Sequence, residues 1–181
     1  MILLKIPGIP GDSNINGYVG DYFSAESISF GHERELKDSG KSGTLDINVG
    51  VCEFQEVSIS KSMDKASTTL ARRAISGSSC GKAEICFVET ITGDDQEAYN
   101  VEFLKLAMDN VIVKTWSISG DSDERPSEEV TFWYNRIAFQ YWYSPDGKVF
   151  QGGGSASWDK TTQTSWEKGL DGIEEQGKHK A

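Results

Sequence analysis

Between residues 56 and 77, EVSISKSMDKASTTLARRAISG, the hydrophobic period lengthens from two to between three and four. Val57 and Ile59 alternate with Ser58 and Ser60, the pattern of a half-buried strand. Met63, Ala66, Leu70 and Ala74 then recur at three- and four-residue steps, which places them on one face of a helix. Asp64 can cap that helix by accepting a bond from a free backbone N–H, and Gly77 is a natural stop. The rest of the chain reads as strands. A single short helix among strands must seat on a sheet edge or across a barrel mouth. Leu70, central in the apolar stripe, is expected to anchor it in the core.

The 181 residues suffice for one domain with a real core. Acidic residues number 28 against 18 basic, for a formal charge of −10. Arg72-Arg73 is the densest basic pair, so nucleic acid and anionic membranes are poor partners. No apolar run reaches the roughly 20 residues that span a bilayer. The opening MILLKIPGIPG lacks the basic leader of a signal peptide. Cys52, Cys80 and Cys86 are too few for a disulfide framework and fit a reducing compartment. A nucleophilic Cys80 needs a basic partner, and the two histidines are His32 and His179.

Several strands change parity partway. In a strand predicted from about Tyr22 to Glu35, Phe23 and Ala25 share one face and Ile28 and Phe30 the other. Such a change signals a bulge or bend that carries the strand from one core to another surface. A second bulge is expected near Val51, and a bulge or corner near Asn135-Arg136. Between the first two lies a polar loop of Lys37, Asp38, Ser39, Gly40, Lys41, Ser42, Gly43 and Thr44. It reads either as a mobile hairpin tip or as an arm ordering against a neighbouring subunit. Pro145-Asp146-Gly147 marks a turn, and the triple glycine at 152–154 reads as a bend or close contact rather than a phosphate loop. Asp121 and Asp123 lack the spacing and glycine of a calcium loop. From about residue 167 the chain becomes a charged tail, expected to fray.

The order of these segments resembles the Hcp family, the tail-tube proteins of bacterial type VI secretion systems. SISKSMDKAST resembles that family's strand-to-helix segment. Ile28-Ser29-Phe30-Gly31 resembles its opening, residues 111–119 and 130–141 its paired late strands, and SWDKTTQTSW its closing segment. Thr68 departs from a frequent proline, and Ile28 and Phe30 from two tryptophans of some members. The resemblance covers residues 1–166, with 167–181 as the tail. It implies a mainly β fold, a small β-barrel of two antiparallel sheets flanked by one short helix. It also implies hexameric rings stacked head to tail inside a contractile sheath, behind a VgrG-type spike, with small effector proteins in the lumen. The protein would be made in the bacterial cytoplasm and secreted through the apparatus.

With that frame, Ser27 and Ser29 are expected on the pore side and Ile28 and Phe30 on the core side, because a lumen that releases cargo avoids apolar anchors. Apolar residues in both parities of several strands argue for closure into a ring, without a cofactor. Two other classes compete. One is a carbohydrate-binding β-sandwich using Trp133, Tyr141, Trp142 and Tyr143. The other is a hydrolase built on paired acids, for which the sequence marks no raised pKa.

Overall fold

The computed structural model describes residues 1–38, 47–169, 171, 173 and 175–181. Its larger antiparallel sheet runs, in spatial order, β12 (Gln151–Asp159), β11 (Arg136–Tyr143), β8 (Ala98–Asp109), β7 (Ala83–Thr92), β1 (Ile2–Lys5) and β2 (Tyr22–Ala25). A short β13 (Lys178–Lys180) also pairs with β8. The smaller sheet runs β3 (Ser27–Ser29), β6 (Val57–Ser62), β10 (Ser127–Trp133) and β9 (Ile112–Ser119). β4 (His32–Asp38) and β5 (Ile47–Phe54) form a separate two-stranded sheet. The helix α1 spans Ser67–Ser76.

Among the described residues no closed barrel is found, and the fold is mainly β with antiparallel sheets, the two larger of which share a core. The larger ends on β12 and β2, the smaller on β3 and β9. The reason lies in how the chain changes sheets. β2 leads into β3 through Glu26, and β10 into β11 through Tyr134 and Asn135, so the sheets are joined at corners rather than by a continuous ladder. The predicted strand over 22–35 is thus three strands in three sheets.

These corners explain the parity changes differently from the expectation. Phe23 of the larger sheet and Ile28 of the smaller both pack into one core, with Val130, Phe132, Tyr134 and Ile137 around the second corner. Where the chain turns from one sheet into the other, the residues of the bend shift the alternation, so that the parity changes while the apolar side chains still face the same interior. Much of the double-parity apolar content is therefore buried internally rather than left for neighbours. The bulge expected near Val51 is present, since Arg34 pairs with Cys52 but Leu36 with Val49.

Gly77 ends α1 in the left-handed region, at φ 63°, and its N–H donates to the Arg73 carbonyl. Asp64 acts one step earlier than expected. Its carboxylate accepts from the Ala66 N–H at 2.7 Å and closes the turn before the helix, where Ala66 itself holds the cap position. Leu70 is fully buried in the core, Ala66 with it, and Ala74 packs against the same cluster.

The residues of the tail also differ from expectation. Ile173 is buried with Ala107, Ala138 and Trp166. β13 extends the edge of β8 at Tyr99–Val101, beyond the Leu104–Asp109 stretch that β11 covers. Its alternating Lys-His-Lys gives no apolar signal, so the pairing was not readable from pattern.

At the second corner Arg136 ties three strands together, donating to Asp159 at 2.6 Å and to Asp109 at 2.8 Å. The Arg136 hydrogen bond, aided by the Thr161 and Thr162 N–H groups, holds the Asp159 carboxyl down at about 2. A depressed carboxyl adds stability that is complete above its unfolded value near 4 and is lost as pH falls toward 2. Asp159→Asn is expected to flatten that part of the acid-denaturation curve, followed by far-UV circular dichroism. An unchanged curve between pH 4 and 2 would remove Asp159 from the acid response.

Candidate functional site

The smaller sheet sorts its side chains sharply. On one face the register lines up Ser29, Ser58, Thr131 and Thr115 in one row, and Ser27, Ser60, Glu129 and Ser117 in the next. Ser62, Ser127 and Ser119 follow in a third, with Glu26 accepting from Ser62 at 2.6 Å. Hydroxyls bridge neighbouring strands, Ser27 to Ser60 at 2.7 Å and Ser58 to Thr131 at 3.1 Å. On the other face, Ile28, Ile59, Val130 and Trp116 align and pack inward. Alternation produces this: along most of each strand, hydroxyl residues occupy one parity and large apolar ones the other, with Glu129 among the first and Lys61 and Glu128 among the second. Ser27 and Ser29 lie on the exposed hydroxyl face and Ile28 on the core face. Phe30, expected toward the core, lies just past the end of β3 and is 36% exposed.

Beneath this sheet lies a charged cluster that sequence reasoning missed. Lys61 is 1% exposed and donates to Glu128 at 2.5 Å, to Asp64 at 2.8 Å and to the Ser62 carbonyl at 2.8 Å. Glu128 also accepts from the Ser67 hydroxyl at 2.7 Å and the Trp116 indole N–H at 2.6 Å. The network joins β6, β9, β10 and the first turn of α1, and so fixes the helix on the sheet. A signal was present: Lys61 continues the buried parity of Val57 and Ile59, and Glu128 that of Val130 and Phe132. Charges in phase with core positions on two strands need each other.

The loop predicted as an inter-subunit arm lies mostly outside the described residues. Its first two residues, Lys37 and Asp38, end β4, and Lys37 pairs with Glu35 at 3.1 Å. The β4–β5 hairpin exposes Leu36 and Val51. Where it meets the larger sheet, an apolar cleft of about 220 Å³ is lined chiefly by Phe30, Phe54, Ile137, Phe139 and Trp158.

The four aromatics proposed to bind sugar do not form one platform. Tyr141 and Tyr143 are exposed on one face of β11 beside Gly153, where a side chain would strike the Tyr141 ring. Trp142 is 5% exposed on the opposite face, and Trp133 sits in the other sheet under the Lys160 ammonium. Of the triple glycine, Gly153 makes room for the tyrosine rings. Cys80 is buried, burial pushes its thiol up, and its charged neighbour is Arg73. His32 packs on Phe54 and His179 on Tyr18, so neither serves Cys80 as a base. Asp121 accepts from the Asp123 and Glu124 N–H groups in a local turn. Among the described residues no group of acidic, cysteine or histidine side chains is placed to hold a metal.

Among the described residues the chain is mainly β, with antiparallel sheets, a helix pinned by buried charge and a hydroxyl-lined face. Comparison with known proteins defines it further. The family profile for the type VI secretion system effector Hcp matches residues 3–141, and the chain belongs to that family. Its fold is similar to a structure described as a type six secretion system protein, at 23% identity and TM-score 0.77, over 90% of this chain and 97% of that one. It is similar also to Hcp1 from Salmonella typhimurium, at 21% identity and TM-score 0.65, over 91% and 97%. A type VI secretion system effector from Yersinia pestis matches at 17% identity and TM-score 0.62, over 88% and 99%. No curated protein matches the chain in sequence.

Proposed function

We propose that this chain is the tube subunit of a bacterial type VI secretion system. Six copies close into a ring, and rings stack head to tail within a contractile sheath behind a VgrG-type spike. The lumen carries small effector proteins, and the protein is made in the cytoplasm and leaves through the apparatus it builds. One observation carries the reading beyond family membership: the smaller sheet turns Ile28, Ile59, Val130 and Trp116 to the core and presents rows of serine and threonine, with Glu129 among them, outward. That face suits a lumen, because cargo meets no apolar anchor that would hold it. Ser27 and Ser29 belong to it. The exposed Leu36 and Val51 of the hairpin, and the apolar cleft beside it, suit contacts with neighbouring copies, the hairpin serving as the arm. The work is done by assembly, without catalysis or a cofactor.

Gel filtration coupled to light scattering is expected to give the mass of six chains at micromolar concentration. Ser29→Trp is expected to keep that mass, since a lumen residue makes no subunit contact. A single-chain mass for the unaltered protein across salt conditions would overturn the tube reading. The same mass for Ser29→Trp alone would move the hydroxyl face to an interface.

A further inference from the structure

The C-terminal segment is docked like a ligand. Residues 177–181 lie along β8 as an added strand. Lys178 pairs with Val101, His179 with Asn100 and Lys180 with Tyr99. The main-chain ladder continues past β13 at both ends, with Glu102 N–H donating to the Gly177 carbonyl at 3.0 Å and Ala181 N–H to the Ala98 carbonyl at 2.7 Å. Added strands of this kind gain affinity from main-chain bonds and specificity from side-chain pockets.

Acceptor side chains meet the added strand on both faces, with the three β13 residues themselves exposed. Glu102, 2% exposed, accepts from the Gly177 N–H at 3.0 Å through one oxygen and from the Tyr18 hydroxyl at 3.1 Å through the other. A side chain at position 177 would run into that carboxylate. The His179 ring stands edge-on to Tyr18, 5.2 Å between centroids, in the space a side chain at Gly17 would fill. Lys180 pairs with Glu97 at 3.0 Å, and Lys178 lies over the Tyr99 ring at 4.5 Å. The acceptor is thus an open stretch of β8 with an N–H-seeking carboxylate, an aromatic wall and an acidic end. The occupant supplies a glycine N–H, an imidazole and two ammonium groups.

We propose that this edge is a strand-acceptor site for basic extended peptides of the form Gly-Lys-His-Lys, and that residues 175–181 occupy it as an exchangeable strap. Exchange is set by area: beyond its contacts with Glu102 and Tyr18 the strap pairs three exposed residues with β8, whereas β11 pairs six residues with it. When the strap leaves, the β8 edge offers unpaired main-chain groups and Glu102 loses a donor, both of which favour recapture of a strand of the same chemistry. The proposal stands apart from ring formation.

The test uses the full chain and a fluorescein-labelled peptide of residues 175–181. Gly177→Val, which disfavours the strap in cis, is expected to bind the peptide at least tenfold more tightly than the unaltered chain, by fluorescence anisotropy. Adding Gly17→Ala on the acceptor side is expected to weaken that binding at least tenfold, as is alanine for glycine in the peptide. Binding no tighter than that of the unaltered chain overturns the site. Should Gly177→Val fail to fold, hydrogen exchange on the unaltered chain decides. The Glu102, Gly177 and Ala181 amides are expected to exchange together, at least tenfold faster than those of Leu106 and Met108. Equal protection overturns the exchangeable strap.

Discussion

Glu128→Leu is expected to cost the fold about 3–5 kcal/mol, the range for removing one partner of a buried ion pair. Three donors converge on this carboxylate, the Lys61 ammonium, the Ser67 hydroxyl and the Trp116 indole, and all three lose it together. Asp64 still faces Lys61 and limits the damage to the charge, but it does not reach Trp116. Glu128→Gln is expected to cost less, because its amide oxygen still accepts. Lys61→Met combined with Glu128→Leu is expected to cost less than the two singles added, since each removes the reason for the other's penalty. Urea denaturation followed by tryptophan fluorescence measures all four. A loss under 1 kcal/mol for Glu128→Leu would mean the network is not the joint between helix and sheet.

Leu70→Ala is expected to destabilise by about 2–5 kcal/mol, toward the upper end of that range. The helix offers the core little else. Ala66 and Ala74 are small, and Ile75, the other large apolar residue of the segment, is 88% exposed. With Leu70 gone the helix is held back from collapsing inward, because Ser67 is tied to Glu128 and the chain just past its far end is held to Val111 through the Cys80 N–H. Ile75→Ala serves as the control and is expected to stay within about 0.5 kcal/mol. Equal midpoints for the two variants would show that the stripe does not face the core.

What could be read in the sequence followed the strength of local signals. The helix and its glycine stop, the bulge by Val51, and the corner near Asn135 all rest on periodicity and backbone chemistry within a few residues. The hydroxyl face was visible only as Ser27 and Ser29; its rows exist because β3, β6, β10 and β9 come together, and pairing partners are not written locally. A corner and an exit to another surface read alike in the sequence, since parity reports a flip but not which sheet waits on the far side. Barrel closure was carried by resemblance alone. Lys61 and Glu128 were legible one at a time, as charges in core phase, but their meeting depends on register. The strap had no signal, because a basic, glycine-bearing tail reads as solvent-exposed until an acidic edge is known to receive it.

The corner at Glu26 has a consequence for how the chain is born. Leu4 finds its partner in Ile85, and Val57 in Phe132, so neighbours in space are synthesised far apart. A nascent chain that has not yet delivered Phe132 carries β6 with one long side unclaimed and its valine and isoleucine uncovered. Topologies dominated by such distant pairings fold over milliseconds to seconds, and the wait exposes sticky edges to other nascent chains. On the ribosome, the smaller sheet can assemble only after β10 has emerged, however fast its individual turns form.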